Sequence, residues 1–387
     1  MRIQTNGVEY TGWTEAQVIL HLDKLSNGFN FVATSEEGGQ MPFRGGETCT
    51  ITVDGELVLT GHIEIVNVDG DKASHSISIS GRDRTGDVVD SKIGSLSDIR
   101  PPISLKKIIE IVLIHIGSPI KVFSECLILP FQTSEDLAAA EFGQDVWDFI
   151  ESLARKRQVL LSSNAFGNIL ITRASGKAIN ATLQNRIKDN ANNVMSYSVS
   201  YDTTGVYNIY RASGQQNPIA INGTESRSNY TIAEQISAIR DPNVRFGRQF
   251  SITSESAGSS LADRTKWEYN VRKARSQVYS ATVDGFRNQT GALWKINQIV
   301  NVDDEYAGIK SRMLINSVQF TLDADGRKTV LALVHKDSYT LTLASAVSID
   351  KIGLGLIEPP VQNVVVLPDS IAPIWRPFNI RDIFEAE

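Results

Sequence analysis

The stretch that decides the fold is Leu314-Ile315-Asn316-Ser317-Val318-Gln319-Phe320-Thr321-Leu322, followed by Asp323-Ala324-Asp325-Gly326 and Thr329-Val330-Leu331-Ala332-Leu333-Val334. Counting by twos puts Leu314, Val318, Phe320 and Leu322 on one face, which is the period of a half-buried strand. The Asp- and Gly-rich turn sends the chain back into a second apolar strand, so the segment reads as an antiparallel hairpin. Working back from it, a strand from Tyr279 reaches Gly285-Phe286. A short Gly291-Ala292-Leu293-Trp294 segment follows, and then Asn297-Gln298-Ile299-Val300-Asn301-Val302-Asp303-Asp304. No nucleophile, metal cluster or phosphate loop interrupts this run. It is composed to make a shaped β surface and not to do chemistry.

The start of the chain has the same character. Phe29-Asn30-Phe31-Val32 is strand-like, and Cys49 to Val53 is a strand that Asp54-Gly55, a pair tolerant of positive φ, turns back into Leu57-Val58-Leu59-Thr60-Gly61. A further strand pair, Ile63 to Val68 and Ser74 to Ser80, flanks Asp69-Gly70-Asp71. Short strands at regular spacing predict a small barrel or sandwich.

From Pro101 the period changes. Ser104 can cap a helix whose stripe is Leu105, Ile108, Ile109, Val112 and Ile116, with Gly117 and Pro119 as its stop. A second helix from Asp145 buries Val146, Phe149, Ile150 and Leu153 and carries Arg155, Lys156 and Arg157 where its dipole favours cations. A hairpin, Val159-Leu160-Leu161 to Ile169-Leu170-Ile171, completes a compact α+β module. Strands return at Met195 to Tyr201, which Val206 to Ala212 is expected to pair with across Asp202-Thr203-Thr204-Gly205. A helix at 260–275 shows a rough stripe of Leu261, Thr265, Tyr269 and Val271. Beyond residue 341, repeated prolines among apolar residues such as Val364-Val365-Val366 and Ile374-Trp375 exclude a long helix and predict an extended arm that docks on another surface.

The expected class is therefore α+β, mainly β. The divisions are a first β-barrel domain at 1–94, an α+β module at 95–185, a second β-barrel domain at 186–340 with a helical excursion near 255–275, and an extended C-terminal arm at 341–387. The two strand-rich units are similar in size, which suggests a duplicated barrel although the residues do not align by eye.

Composition narrows the function. The chain has 387 residues, 21% charged and 41% hydrophobic, with a formal charge of −6. That balance argues against a general nucleic-acid binder, whose affinity rests on clustered Lys and Arg. A polar start and the lack of any long apolar run predict neither secretion by a signal peptide nor a membrane span. Two cysteines, Cys49 and Cys126, are too few and too far apart for a disulfide framework. His21, His62, His75, His115 and His335 show no zinc-hydrolase spacing, and His115 reads as a core or boundary residue. Neither a serine-hydrolase elbow nor a P-loop is present. No cofactor or metal is expected.

Two clusters remain. Asp83, Asp87 and Asp90 could bind a cation or act as a carboxylate pair, but Arg82 and Arg84 stand beside them and Thr85 or Asp87 could cap a turn, so a structural role is favoured. Arg264, Lys266, Arg272, Lys273 and Arg275 could meet a nucleic acid, yet Asp263 and Glu268 interrupt them, as on a solvated helix face or a subunit contact.

Gly81-Arg82-Asp83-Arg84-Thr85-Gly86-Asp87-Val88-Val89-Asp90, the helix around Trp147 with its hairpin, Asp202 leading to Tyr210-Arg211-Ala212-Ser213-Gly214-Gln215, and the block from Phe286 through Trp294 and Asn297 to Leu333 occur in that order. In that order they resemble the baseplate hub proteins of Mu-like contractile-tailed bacteriophages, related to late-control D-type tail proteins and to the N-terminal part of VgrG spikes. The resemblance covers about residues 1 to 340. It implies a non-enzymatic homotrimer whose subunits each give two tube-like β-barrel domains, adapting a sixfold tail tube to a threefold central spike around a DNA channel. It also implies contacts with the spike, with a tail tube or tube-initiating baseplate protein and with a tape-measure protein, no specific nucleic-acid binding, no membrane insertion, and assembly in the host cytoplasm into the virion tail baseplate. The competing expectations are the hub of a tailocin or secretion-type injector, a tail-associated cell-wall hydrolase acting through the Asp83 to Asp90 cluster, and a carbohydrate-binding module using Trp13, Trp294 or Trp375 as exposed aromatics.

Overall fold

A computed structural model describes residues 1–35, 42–70, 75–94, 96, 99–132, 140–174, 177–188, 191–214, 235–254, 261–336 and 338. The arm expected at 341–387, with Trp375, lies outside the described residues.

The first strand-rich stretch contains β1 (Arg2–Thr5), β2 (Val8–Tyr10), β3 (Glu15–His21), β4 (Gly28–Ser35), β5 (Thr48–Val53), β6 (Glu56–Gly70) and β7 (His75–Asp83). Next come α1 (Gly86–Asp90), α2 (Leu105–His115), β8 (Val122–Ser124), α3 (Val146–Lys156), β9 (Leu160–Ser163) and β10 (Ile169–Thr172). The last stretch contains β11 (Ala178–Asn185), β12 (Val194–Tyr201), β13 (Ile209–Gly214), β14 (Gln235–Arg240), β15 (Gln249–Ser254), α4 (Leu261–Arg275), β16 (Gln277–Asp284), β17 (Ile299–Asp304), β18 (Ile309–Asp323) and β19 (Gly326–His335).

Most strands belong to a 13-stranded sheet that runs β12-β16-β19-β18-β3-β4-β7-β6-β5-β1-β2, with β17 on β18 and β11 on β17. Within this path one four-strand unit occurs twice. β3, β4, β6 and β7 lie in the order β3-β4-β7-β6, and β12, β16, β18 and β19 lie in the order β12-β16-β19-β18. The third strand of each unit, β6 or β18, is 15 residues long. Each breaks register near its middle, between Ile63 and Ile65 or between Ile315 and Ser317. Each also takes an extra antiparallel strand on its first half, β5 on β6 and β17 on β18. One row across the first unit is Ala16↔Phe31↔Ile79↔Val66. Its counterpart in the second is Tyr197↔Ala281↔Leu331↔Val318. The duplication expected from size is thus a duplication of strand order and register.

Neither unit closes into a barrel among the described residues. They join edge to edge instead, through Ser317–Leu322 of β18 against Ala16–His21 of β3. One of the two edges that each unit would need to close on itself is used in that joint, so the result is one continuous sheet, antiparallel along the eight strands from β12 to β6. Its two cores lie on one side. Val18, Phe29, Phe31, Ile51, Ile63 and Ile79 are among the residues filling the first, and Tyr279, Phe286, Trp294, Val318, Phe320 and Leu331 are among those filling the second.

The register break in β18 corrects the simple period-two reading. Asn316 is the extra residue, and the strand flips across it. Met313 and Ile315 therefore share a core with Val318 and Phe320, whereas Leu314 joins Leu22, Trp267, Val271 and Val334 in another cluster. Two further expectations are overturned. β12 does not pair with the strand after Asp202; its partner is β16, in the register Tyr201↔Gln277 to Val194↔Val283. β13 is instead the middle strand of a separate β14-β13-β15 sheet. Among the described side chains of α4 the buried ones are Thr265, Trp267 and Val271, while Tyr269 meets Tyr210 edge-on at 5.4 Å; the side chain of Leu261 lies outside the described ones. That helix touches β13 and β14 as well as β16 and β19, so its apolar residues point in two directions and give no single stripe.

The middle module follows its sequence closely. Ser104 Oγ accepts the Lys107 N–H at 3.2 Å, and α2 is followed by Ile116 as its cap and by Gly117 with φ +70°. Ile108, Ile109, Val112, Phe149, Ile150 and Leu153 pack together over a small sheet in which β8 runs parallel and β9 antiparallel to β10. His115 is an exposed residue at the end of α2, and its Nε2 accepts the Gly94 N–H at 3.2 Å.

Candidate functional site

The three carboxylates of the acidic cluster have different partners. Asp83, at the end of β7, is 2% exposed. Its carboxylate accepts the Asn27 N–H at 3.1 Å and hydrogen bonds from Thr85 Oγ1 at 2.6 Å, Ser26 Oγ at 3.4 Å and Ser163 Oγ. Burial pushes its pKa upward against the pull of those donors. Ser163 belongs to β9, so Asp83 ties the first unit to the middle module. Thr85 is fully buried at the start of α1, but its hydroxyl does not cap the helix; it lies 2.8 Å from Leu25 O and beside Asp83. Asp87 and Asp90 point elsewhere. Asp87 is 3.8 Å from His62 Nδ1, and Asp90 pairs with Arg82, whose guanidinium also grips Glu64 at 2.8 Å. Arg82 holds the Asp90 carboxyl below the usual aspartate range. Among the described residues no group of three His, Cys, Asp or Glu could hold a metal ion.

Gly81 has a steric reason. A Cβ there would lie 2.0 Å from His62 O and 2.8 Å from the Phe29 ring, where β6 and β7 approach closely beside the β6 bulge. The other residues singled out by sequence fall, where described, at separate places in the fold. Trp147 is half-buried against the middle core and lines a cavity of about 560 Å³ between α3, β9 and α4. Asp202 is exposed and accepts the Thr204 N–H at 2.8 Å and its hydroxyl at 2.6 Å, which lowers its pKa and shapes the turn after β12. Gly214 ends β13 opposite Gln235 and Ser254, and Gln215 lies outside the described residues. Phe286 is buried edge-on against Phe320 at 5.6 Å. Trp294 is 2% exposed, and Trp13 is 8% exposed, so neither is a free aromatic platform. Asn297 adopts φ +62°, donates from its backbone to Ile315 O at 3.0 Å and from Nδ2 to Arg173 O at 2.9 Å, and so ties the second unit to the middle module. Asp83 and Asn297 are thus two polar staples at equivalent tasks, far apart in sequence.

Four of the five cations in the basic run on α4 have carboxylate partners. Glu268 meets both Arg264 and Arg272, Lys273 reaches Asp241 and Arg275 reaches Asp23. Cys49 is buried and its pKa is pushed up to about 12, mainly by desolvation. No helix among the described residues is long and apolar enough to cross a membrane.

What the fold does present is the continuous sheet. Cross-strand register puts Ser76, Ser78 and Ser80 of β7, and Ser196, Ser198 and Ser200 of β12, on the side away from the cores. Gln319 and Thr321 of β18 and Gln17 and Asn30 of β3 and β4 share that side. The face is rich in hydroxyls and amides. The alternation of Ser with apolar residues in Ser76 to Ser80 and Ser196 to Ser200 was the sequence signal for it, and strand-by-strand reading passed over it. The two ends of the eight-strand path are β12 and the second half of β6. At these ends Ile65 and Val68 are each 53% exposed, Met195 58%, Tyr197 42% and Tyr201 63%. Tyr197 also stacks beside Tyr279 and Tyr306, with centroids at 6.4 and 6.3 Å.

Comparison with known proteins gives a consistent picture. Residues 1–83 match the family described as Mu phage baseplate assembly protein GpP-like, N-terminal, and residues 257–342 match the fourth domain of Mu phage baseplate assembly protein GpP. The chain is 22% identical over 357 residues to the baseplate hub protein gp44 of Escherichia phage Mu, covering 89% of each chain. Its fold is similar to that of the 43 kDa tail protein of prophage MuSo2 from Shewanella oneidensis, with a TM-score of 0.74, 29% identity, and coverage of 88% of this chain and 99% of that one. The tail protein of Neisseria meningitidis MC58 shares the fold with a TM-score of 0.70 at 19% identity, over 87% of this chain and 96% of that one.

Proposed function

We infer that this chain, which belongs to the Mu-like baseplate hub proteins, is a structural, non-enzymatic part of a contractile phage tail and works in the baseplate together with other tail components. In our reading three copies form a ring, each copy giving two tube-like units, so that six similar units face the tail tube and three subunits face the central spike. The observation that carries this reading is the duplicated four-strand unit. A chain that repeats one β unit twice within a single sheet offers pseudo-sixfold symmetry when three copies close.

The division into units at 1–94 and 186–340 with a module at 95–185 belongs to the same proposal, as do contacts with the spike, with a tube or tube-initiating protein and with a tape-measure protein, and assembly in the host cytoplasm. The hydroxyl-rich face suits the wall of a DNA passage. Few cations along it, in a chain of formal charge −6, would keep DNA from adhering.

Light scattering on the purified chain over a range of concentrations tests the ring. A stable mass near three times the 42.5 kDa chain is expected. A monodisperse monomer at every concentration would count against a hub that closes its own ring.

A further inference from the structure

The internal joint between the two units and the two open ends of the sheet are the same places in the repeat. β18 is the third strand of the second unit and pairs with β3, the first strand of the first unit. β6 is the third strand of the first unit, and β12 is the first strand of the second. Their outer edges, β6 beyond its bulge and β12 along its length, have no strand partner among the described residues.

We propose that β6 of one copy pairs with β12 of a second copy of this chain, antiparallel and in the register of the internal β18–β3 joint. The proposal rests on the ring reading above and gives it an interface.

Direction comes first. Every neighbouring pair along β12-β16-β19-β18-β3-β4-β7-β6 is antiparallel, and the path has an even number of strands. The two end strands therefore run in opposite directions, and the end of one copy meets the start of the next as an ordinary antiparallel pair. The contact is head-to-tail, the kind that closes into a ring when the rotation allows.

Register follows from the repeat. The rows already described make Val66 equivalent to Val318, and Tyr197 equivalent to Ala16. At the internal joint Val318 faces Leu20, Gln319 faces Ile19, Phe320 faces Val18 and Thr321 faces Gln17. Carried to the open ends, Val66 faces Tyr201, Asn67 faces Ser200, Val68 faces Val199 and Asp69 faces Ser198 of the next copy. The side-chain chemistry agrees. Apolar Val66 and Val68 meet Tyr201 and Val199 on the core side, and polar Asn67 and Asp69 meet Ser200 and Ser198 on the hydroxyl-rich side.

Burial supplies the driving force. At the internal joint Val18, Val318 and Phe320 are fully buried and Ala16 is 2% exposed. At the open ends the equivalent Val68 and Tyr197 are 53% and 42% exposed, and Tyr201, opposite Val66, is 63% exposed. An edge strand with apolar side chains and free backbone groups is a template for another strand, and no charged guard residue occupies β12. A second copy offers the complementary edge with the matching pattern.

Paired cysteines test this in the full chain. Asn67 and Ser200 are both exposed, so single substitutions there leave the fold intact. The double variants N67C/S200C and D69C/S198C, mildly oxidised, are expected to give a covalent ladder ending at three chains on a non-reducing gel. The single variants, the parent chain with its own Cys49 and Cys126, and the slipped pair N67C/S196C are expected to stay uncrosslinked. Two adjacent pairs are used because neighbouring positions in an antiparallel ladder differ in Cβ spacing and in their fitness for a disulfide. A trimer by light scattering with no crosslink in either double variant, or with the slipped pair crosslinking best, overturns the interface and leaves the ring reading standing. A monomer by light scattering with no crosslink overturns both.

Discussion

The joint between β18 and β3 and the open edges of β6 and β12 are built from equivalent positions and differ in one respect. At the joint the apolar residues are buried by a strand of the same chain, and at the edges they face outward. Phe320 and Val68 occupy the same place in their units, yet one is fully buried and the other is 53% exposed. On the proposed pairing, exposure here marks an unfinished repeat and not a solvent-adapted surface. Scattered exposed apolar residues need no explanation in general, but a pair of edges whose counterparts are sealed does.

The largest effect expected from this comparison is at the joint. Phe320 packs against Phe286 and the second core. Phe320→Ala should cost about 3–5 kcal/mol in urea unfolding of the chain, through lost burial and the cavity left behind. Its counterpart Val68→Ala, measured under conditions where the chain is monomeric, should change stability by no more than about 0.5 kcal/mol. Equal costs would mean that β6 is already sealed within the chain, and the comparison would fail.

A second difference between the units is Tyr279, which stands where the first unit has Phe29. Its hydroxyl donates to the buried Asp304 at 2.6 Å, and Asn185 Nδ2 donates to the same carboxylate oxygen at 3.0 Å. Burial and this carboxylate raise the phenol pKa well beyond its ordinary value. Tyr279→Phe makes the second unit like the first at this row but leaves Asp304 short of a donor. Thermal unfolding should show a loss of about 1–2 kcal/mol, the cost of an under-satisfied buried acceptor that keeps its other partners. A neutral result would show that Asn185 and the Ala307 N–H, at 2.8 Å from the other oxygen, suffice alone.

Much of this was legible beforehand. The hairpins at Asp54-Gly55 and at Ala324-Asp325, the capped α2 and the amphipathic α3 were readable because turn chemistry and local period decide them. The partner of β12 was not, because Met195 to Tyr201 looks equally fit for the strand after Asp202 and for β16, 76 residues further on at Gln277 in the pairing Tyr201↔Gln277. Hydrophobic pattern says which face of a strand is inward and nothing about its neighbour. The flip at Asn316 was equally hidden, since one extra residue in a strand leaves composition unchanged. Of the singled-out residues, Asp83 looked like a member of an acidic surface cluster because three carboxylates fall within eight positions. In the fold Asp83 turns inward to Ser163 while Asp90 turns outward to Arg82, and only the closeness of β7 to β9 separates them.

At the open edge itself the comparison predicts a change in assembly without a change in fold. Val68→Lys places a charge on the core side of β6, where the next copy's Val199 would sit. Sedimentation or light scattering should show loss of the trimer, while the melting temperature of the monomer moves by no more than the shift that about 0.5 kcal/mol would give. The same substitution at Val318, which is fully buried at the joint, should instead unfold the chain. A trimer that survives Val68→Lys would place the contact between copies elsewhere.

The smallest effect concerns Arg82, which links Glu64, at the β6 bulge where the open edge begins, to Asp90. Its side chain is 33% exposed and Asp90's is 57% exposed, so solvent screens much of the attraction and the pair is worth at most about 1 kcal/mol. Arg82→Met should therefore lower stability slightly at low ionic strength, and the difference should shrink in 1 M salt, where charges are screened within about 3 Å. The pH sign follows from Asp90, whose carboxyl Arg82 holds below its ordinary value. A depressed aspartate contributes stability that is present above the unfolded value, near 3.9, and is lost as pH falls through the lower folded value. Parent and Arg82→Met should thus differ most near neutrality and converge in strong acid. If Arg82 also sets the angle at which β6 leaves its bulge, the variant will weaken the trimer by more than it weakens the monomer. Equal small losses in both would confine Arg82 to the first unit and leave the open edge to be held by the backbone ladder and by Val66 and Val68.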